Sequence, residues 1–106
     1  ELIARGKVVG DYLRRQISNL AARHELIGDV RGYGMVTGLE FVTDRGKRRP
    51  ATKETARLLE LMRQRYVLVG SEGRDANILK LRPSLIFQHK HVDLFIDALD
   101  RSLDSL

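Results

Sequence analysis

Apolar residues recur along this chain with two periods. Val9, Tyr12, Leu13, Ile17, Leu20 and Ala21 follow the i, i+3, i+4 spacing of an amphipathic helix, which predicts a helix over residues 2–24. Gly6 and Gly10 lie in its first half, and each weakens it by about 1 kcal/mol relative to alanine. A second helix is expected from Lys53 to about Arg65, with Thr52 as its N-cap and Thr55, Leu58, Leu59, Met62 and Tyr66 facing inward. Glu54 near its start and Arg63 and Arg65 near its end suit the helix macrodipole. A third runs from about His89 to Leu103, burying Val92, Phe95, Ile96, Leu99 and Leu103 and turning Asp93, Asp97, Asp100 and Asp104 outward.

Between these helices the period drops to two. The glycine-rich stretch from Ile27 to Val42 predicts an irregular lead-in strand near Asp29 to Gly32, then a main strand from about Met35 to Thr43 with Met35, Leu39 and Phe41 on one face. Its spacing Gly32-x-Gly34-x-x-x-Gly38 is not a dinucleotide fingerprint, because these glycines lead into and along a strand and do not open a helix. Val67-Leu68-Val69 is a short β run. The polar stretch from Gly70 to Asn77 turns the chain back into Ile78-Leu79-Lys80-Leu81-Arg82-Pro83, so the two runs are expected to pair as a long-looped antiparallel hairpin. These elements sum to one α+β domain over residues 1–106, a two-layer arrangement with a three- or four-stranded, largely antiparallel sheet and three helices on one face.

The strand from Ile78 carries the candidate chemistry. Leu79 and Leu81 take one face; Lys80 and Arg82 share the other, roughly 7 Å apart along the strand. Pro83 cannot donate to a ladder, so pairing is expected to stop there or the strand to lie at an edge. Spacing alone leaves two readings open, a solvated polar face and a site for an anion.

Composition narrows the classes. A chain of 106 residues, 42% hydrophobic and 31% charged, fits one small globular domain. No apolar run approaches the roughly 20 residues that span a bilayer, and no signal peptide is expected at its start. The absence of cysteine excludes disulfides and thiolate metal sites and agrees with a reducing cytoplasm. The net charge of +5 raises nucleic acid as a partner, but aromatic residues for stacking make up only 6%. The dense basic cluster, Arg45-Gly46-Lys47-Arg48-Arg49, reads as a solvated loop. No metal site is expected either, since His89 and His91 are two apart at a helix start and do not share a helical face. Ser71 and Ser84 have no base nearby in sequence, so no catalytic residue is assigned. The chain reads as part of an active site.

Three blocks then carry a resemblance. Ile27-Gly28-Asp29-Val30-Arg31-Gly32-Tyr33-Gly34-Met35 with Gly38-Leu39-Glu40-Phe41 is the first. Tyr66-Val67-Leu68-Val69 with Gly73 is the second, and Asn77-Ile78-Leu79-Lys80-Leu81-Arg82-Pro83-Ser84-Leu85 leading to Asp93 and Leu99-Asp100 is the third. Together with Val9-Gly10-Asp11-Tyr12-Leu13 they resemble, in order and spacing, the C-terminal small domain of a class III (subgroup II) aminotransferase, a pyridoxal-phosphate enzyme of fold type I. The first residue is Glu1 and not methionine, and the resemblance implies a longer parent whose large domain, upstream of Glu1, holds pyridoxal 5'-phosphate and its Schiff-base lysine. No lysine here sits in a context like that one, so no cofactor-binding residue is assigned and the fragment alone is expected to be inert.

The resemblance also gives the strand face a purpose. In similar enzymes the matching strand carries an arginine that grips the substrate carboxylate, and its position falls on Lys80. Lysine keeps the charge but lacks the planar bidentate fork. Arg82, one pleat further, is the second substrate-binding candidate. Arg31 and Gly32 look structural. The implied parent is a cytoplasmic homodimer that moves an amino group between an amine or amino acid and a 2-oxo acid, this domain forming one wall of the substrate pocket. Lysine at position 80 keeps a pyridoxal-phosphate phospho-lyase or decarboxylase as an alternative. A stand-alone basic binding module is the third reading.

Overall fold

The computed structural model describes residues 2–33, 36–65, 67, 69–81 and 89–106. Along the chain run α1 (Leu2–Ala21), β1 (Ile27–Tyr33), β2 (Val36–Asp44), β3 (Arg49–Pro50), α2 (Thr52–Gln64), β4 (Ser71–Glu72), β5 (Ile78–Leu81) and α3 (His89–Asp104). Every strand pair is antiparallel, in the order β1-β2-β5-β4, and β3 pairs with the far end of β2. The expected sheet of three or four strands thus has five. The difference lies in β3 and β4, two-residue ladders too short to show a period of two in sequence.

The core follows from alternation in β2 and β5. Leu39 pairs with Val30 on one side and Leu79 on the other, and Thr37 pairs with Leu81, so these side chains share a face. Leu39, Phe41, Leu79 and Leu81 are buried on it together with Ile27. Val9, Leu13, Ile17 and Leu20 of α1, Leu58 and Met62 of α2, and Val92, Phe95 and Leu99 of α3 complete one continuous cluster. α1 and α2 lie against the sheet, and α3 packs across both of them. Each helix buries the stripe its spacing predicts: Thr55, Leu58 and Met62 line the inside of α2, and α3 adds Ala98 and Ser102 to the expected positions. Tyr66, Met35 and Leu68 lie outside the described residues.

Three local expectations change. Ala51 occupies the N-cap of α2 and makes no side-chain cap bond. Thr52 is already helical, and its hydroxyl donates to the Asp75 carbonyl at 2.6 Å, tying α2 to the β4–β5 turn. The strand that pairs with β5 is Ser71–Glu72, while Val67 and Val69 pack, partly buried, against the core outside the ladder. A pair of valines serves either purpose, because a half-buried irregular segment and a strand edge both reward apolar side chains. The basic loop is not wholly solvated. The Arg45 guanidinium donates to the carbonyls of Ala21, His24, Glu25 and Ile27 at 2.7 to 3.2 Å, which satisfies acceptors left over at the C-terminal end of α1. Arg48 pairs with Glu40 at 3.0 Å. Much of the cluster's charge is therefore engaged within the domain.

Two further contacts set how the layers meet. The backbone of Gly28 sits at a register shift between Ile27 and Asp29, so close to β2 that an added Cβ would stand 2.5 Å from Val42 Cγ2. Where α1 ends, His24 Nε2 meets Asp100 Oδ1 of α3 at 2.7 Å, and Arg23 holds the other oxygen of Asp100 at 2.6 Å. The hydrogen bonds from His24 and then Arg23 hold the Asp100 carboxyl below the usual carboxylate range, outweighing its partial desolvation.

Gly28→Ala is expected to cost about 1 to 3 kcal/mol in denaturant unfolding, because Val42 is buried and branched at Cβ. Gly70→Ala, where an added methyl meets nothing within 4 Å, serves as the neutral comparison. Asp100→Asn is expected to lower stability by about 1 kcal/mol at neutral pH. Since the folded-state pKa is depressed, that loss is full above the unfolded value of 3.8 and shrinks as pH falls through the lower folded value. A pH series of unfolding curves for both proteins reads this directly, and a constant difference down to strong acid would contradict it.

Candidate functional site on the open face of the sheet

The face of the sheet away from the helices is built by the same alternation that builds the core. Asp29, Glu40, Ile78 and Glu72 align in one row across β1, β2, β5 and β4. Arg31, Gly38 and Lys80 form the next row. Neighbouring strands lie about 4.8 Å apart, so the Arg31 and Lys80 backbones flank Gly38 at roughly 10 Å from each other. Between two long cationic side chains stands a residue with no side chain at all.

Lys80 lies where its sequence context places it, opposite the buried Leu79 and Leu81, with its side chain 46% exposed. Arg82 falls outside the described residues. What sequence reading missed is the acid beside Lys80. Glu72, on the adjacent strand and diagonal to it, brings Oε2 to 3.3 Å from Lys80 Nζ. Its own side chain is 40% exposed. A half-exposed ion pair of this kind is worth roughly 0 to 1 kcal/mol.

Arg31 is the second residue that the sequence reading left without chemistry. It pairs with Asp29 and faces the same side as Lys80. Arg48 reaches in from the loop to Glu40 at 3.0 Å and Asp29 at 3.8 Å. Among the described residues of the open face, Arg31, Arg48 and Lys80 each stand beside an acid. Glu72 lies in none of the motif blocks, and Arg31 lies in the first without a role assigned to it there. The signal that finds them is the strand register, since position 31 opposite 38 and position 38 opposite 80 follow once the pairings are known.

His89 and His91 sit at the first turn of α3; the ring of His89 packs on Tyr12 with centroids 4.4 Å apart, while Tyr12 donates to Asp93 at 2.6 Å. The Asp93 carboxylate, by accepting that bond, raises the Tyr12 pKa. These contacts join α1 to α3 and take no part in the open face.

The family of class-III aminotransferases matches residues 1–103. The chain belongs to this family. It is 37% identical over 99 residues to the mitochondrial alanine–glyoxylate aminotransferase 2 homolog 2 of Arabidopsis thaliana, covering 93% of this chain and 21% of that protein. Among solved structures it resembles a phospholyase from Arthrobacter in complex with phosphoethanolamine, at 39% identity and a TM-score of 0.89, over 99% of this chain and 25% of the other. A Bacillus anthracis aminotransferase gives the same TM-score at 26% identity, over 99% of this chain and 24% of that one. The domain therefore spans about a fifth to a quarter of the proteins it matches, and in each it lies within a longer chain. The α+β small-domain fold and the class III membership expected from the motif blocks both stand.

Removing the acid beside Lys80 tests the pair itself. Because a surface pair contributes so little, Glu72→Gln is expected to change unfolding free energy by no more than about 1 kcal/mol. A loss of several kcal/mol would make the pair a structural strut and remove Lys80 from the site.

Proposed function

We propose that this chain is the C-terminal small domain of a longer pyridoxal-phosphate transaminase that moves an amino group between an amine or amino acid and a 2-oxo acid. Its open sheet face forms one wall of the substrate pocket, and Lys80, with Arg82 one pleat further, receives the substrate's anionic group. The observation that carries this reading is Lys80 itself. It is an exposed cation on a strand whose other face is locked into the core, and by the resemblance its position matches that of the arginine with which similar enzymes grip the substrate carboxylate.

The residues of this chain do not fit the cofactor's own anchoring role. All five lysines, at positions 7, 47, 53, 80 and 90, are exposed. None is buried as the lysine that carries the cofactor is expected to be. The cofactor and its lysine accordingly belong to the rest of the longer chain, which pairs as a homodimer. When bound, the cofactor supplies carbanion stabilisation. The work left to this domain is electrostatic. Lys80 neutralises and orients the substrate's anionic end, and Glu72 holds the ammonium in place until the substrate arrives.

A second reading rests on the likeness to the Arthrobacter phospholyase. A lysine is a compact point charge that serves a phosphate as well as a carboxylate. In that reading the same face holds the phosphate of a phosphorylated amine, and the product is free phosphate.

The full-length protein loaded with cofactor separates these readings. Amino transfer from an amino acid to a 2-oxo acid, without phosphate release from phosphoethanolamine, supports the transaminase; the reverse supports the phospho-lyase. In either case Lys80→Ala and Arg82→Ala are each expected to raise KM for the anionic substrate about ten-fold or more. Unchanged kinetics in both variants would remove the anion-gripping role.

A further inference from the structure

Away from the open face, one group of side chains is arranged as metal ligands are. His24 Nε2 lies 2.7 Å from Asp100 Oδ1 and 3.8 Å from Asp104 Oδ1, and the three ligand atoms all fall within 4.8 Å of one another. Ligands bound at about 2 Å around a tetrahedral ion stand about 3.3 Å apart. The two distances from the imidazole bracket that value, so a small rotation of each carboxylate suffices. Asp100 and Asp104 are one helical turn apart on α3 and project to the same side.

The group is also held in place. The His24 side chain is only 9% exposed. Its backbone N–H donates to Leu20 and its carbonyl accepts from Arg45, which fixes the residue at the end of α1. Arg23 binds the second oxygen of Asp100 at 2.6 Å, leaving Oδ1 turned towards the imidazole. Carboxylate ligands of metals are oriented by such outer hydrogen bonds. Asp104, 66% exposed, is free to swing in and leaves a side open to water.

Asp100 and Asp104 set two carboxylates beside the imidazole, with the guanidinium of Arg23 on the far oxygen of Asp100 and that of Arg45 on the His24 carbonyl. The site also stands where two helices end: α1 stops at Ala21, and Asp104 is the last residue of α3. The C-terminus of α3 presents the negative end of its macrodipole there, while that of α1 is closed by Arg45. We propose that His24, Asp100 and Asp104 form a binding site for a divalent transition-metal ion, of the Zn2+ or Co2+ kind, that clamps the ends of α1 and α3 together. One imidazole with two carboxylates is a donor set suited to such ions, with remaining positions filled by water. The site lies on the helical layer and is separate from the face that carries Lys80.

The test uses the full-length protein, titrated with Zn2+ alone by calorimetry, and His24→Gln and Asp104→Asn side by side. Asp104 is too exposed for its loss to unfold the domain, so that variant keeps the test open if His24→Gln is unstable. The wild type is expected to bind one more equivalent of Zn2+ than either variant, or to bind that equivalent at least about ten-fold more tightly. Zn2+ should also raise the wild-type unfolding temperature, and Co2+ should give a visible absorption band that Asp104→Asn lacks. Equal stoichiometry with less than about ten-fold weakening in Asp104→Asn would overturn the site.

Discussion

The buried face of β2 is the contact on which the rest of this domain depends. Leu39 and Phe41 stand on the central strand, flanked by β1 and β5, and belong to the one apolar cluster that reaches all three helices. A strand that buries every second residue has no choice about the others. Gly38 and Glu40 must face away, and pairing with β5 turns Lys80 the same way. The composition of the open face is therefore a by-product of core packing. Slipping β5 by one residue would bury Lys80 and expose two leucines, an arrangement costly enough to hold the register firmly.

That constraint leaves the outward positions freer to change than the inward ones. The leucine face is under strict steric control, because interiors are close-packed. The open face meets only loose requirements, since each of its ion pairs contributes little to stability. A cation on β5 can be arginine or lysine without disturbing the core, and its neighbours can change in the same way. The likenesses to both an aminotransferase and a phospholyase, with equal TM-scores, fit a scaffold whose backbone is common to both.

The helical layer is fastened at its ends by polar contacts of a different kind. Arg45 closes the C-terminal end of α1 through four carbonyls, and Tyr12 with Asp93 joins the middle of α1 to the start of α3. His24, Arg23 and Asp100 join the other ends. A small core cannot fix the angle between two helices by itself, because apolar contacts are non-directional. Hydrogen bonds with defined donors and acceptors supply the missing direction.

Much of this was legible in the order of residues. The stripes of α1, α2 and α3 and the alternation of β2 and β5 are local periodicities, and a period of 3.6 or 2 dictates which side chains share a face whatever lies elsewhere. Leu79 and Leu81 in the core with Lys80 outside is decided at that level, and so is a two-layer α+β domain. The three motif blocks carried the family for a similar reason, being contiguous. Other features depended on pairings between distant parts of the chain. Glu72 beside Lys80 requires the register of β4 on β5, two residues too short to announce themselves. Arg31 in the row of Lys80 requires two pairings in succession. Arg45 acting on α1, and His24 set between two aspartates of α3, require the layers to be assembled first; His24 and Asp100 are 76 positions apart. Local spacing determined the faces of each element, and only the packed structure decided which faces meet, because long-range register is set by the whole core and not by any one segment.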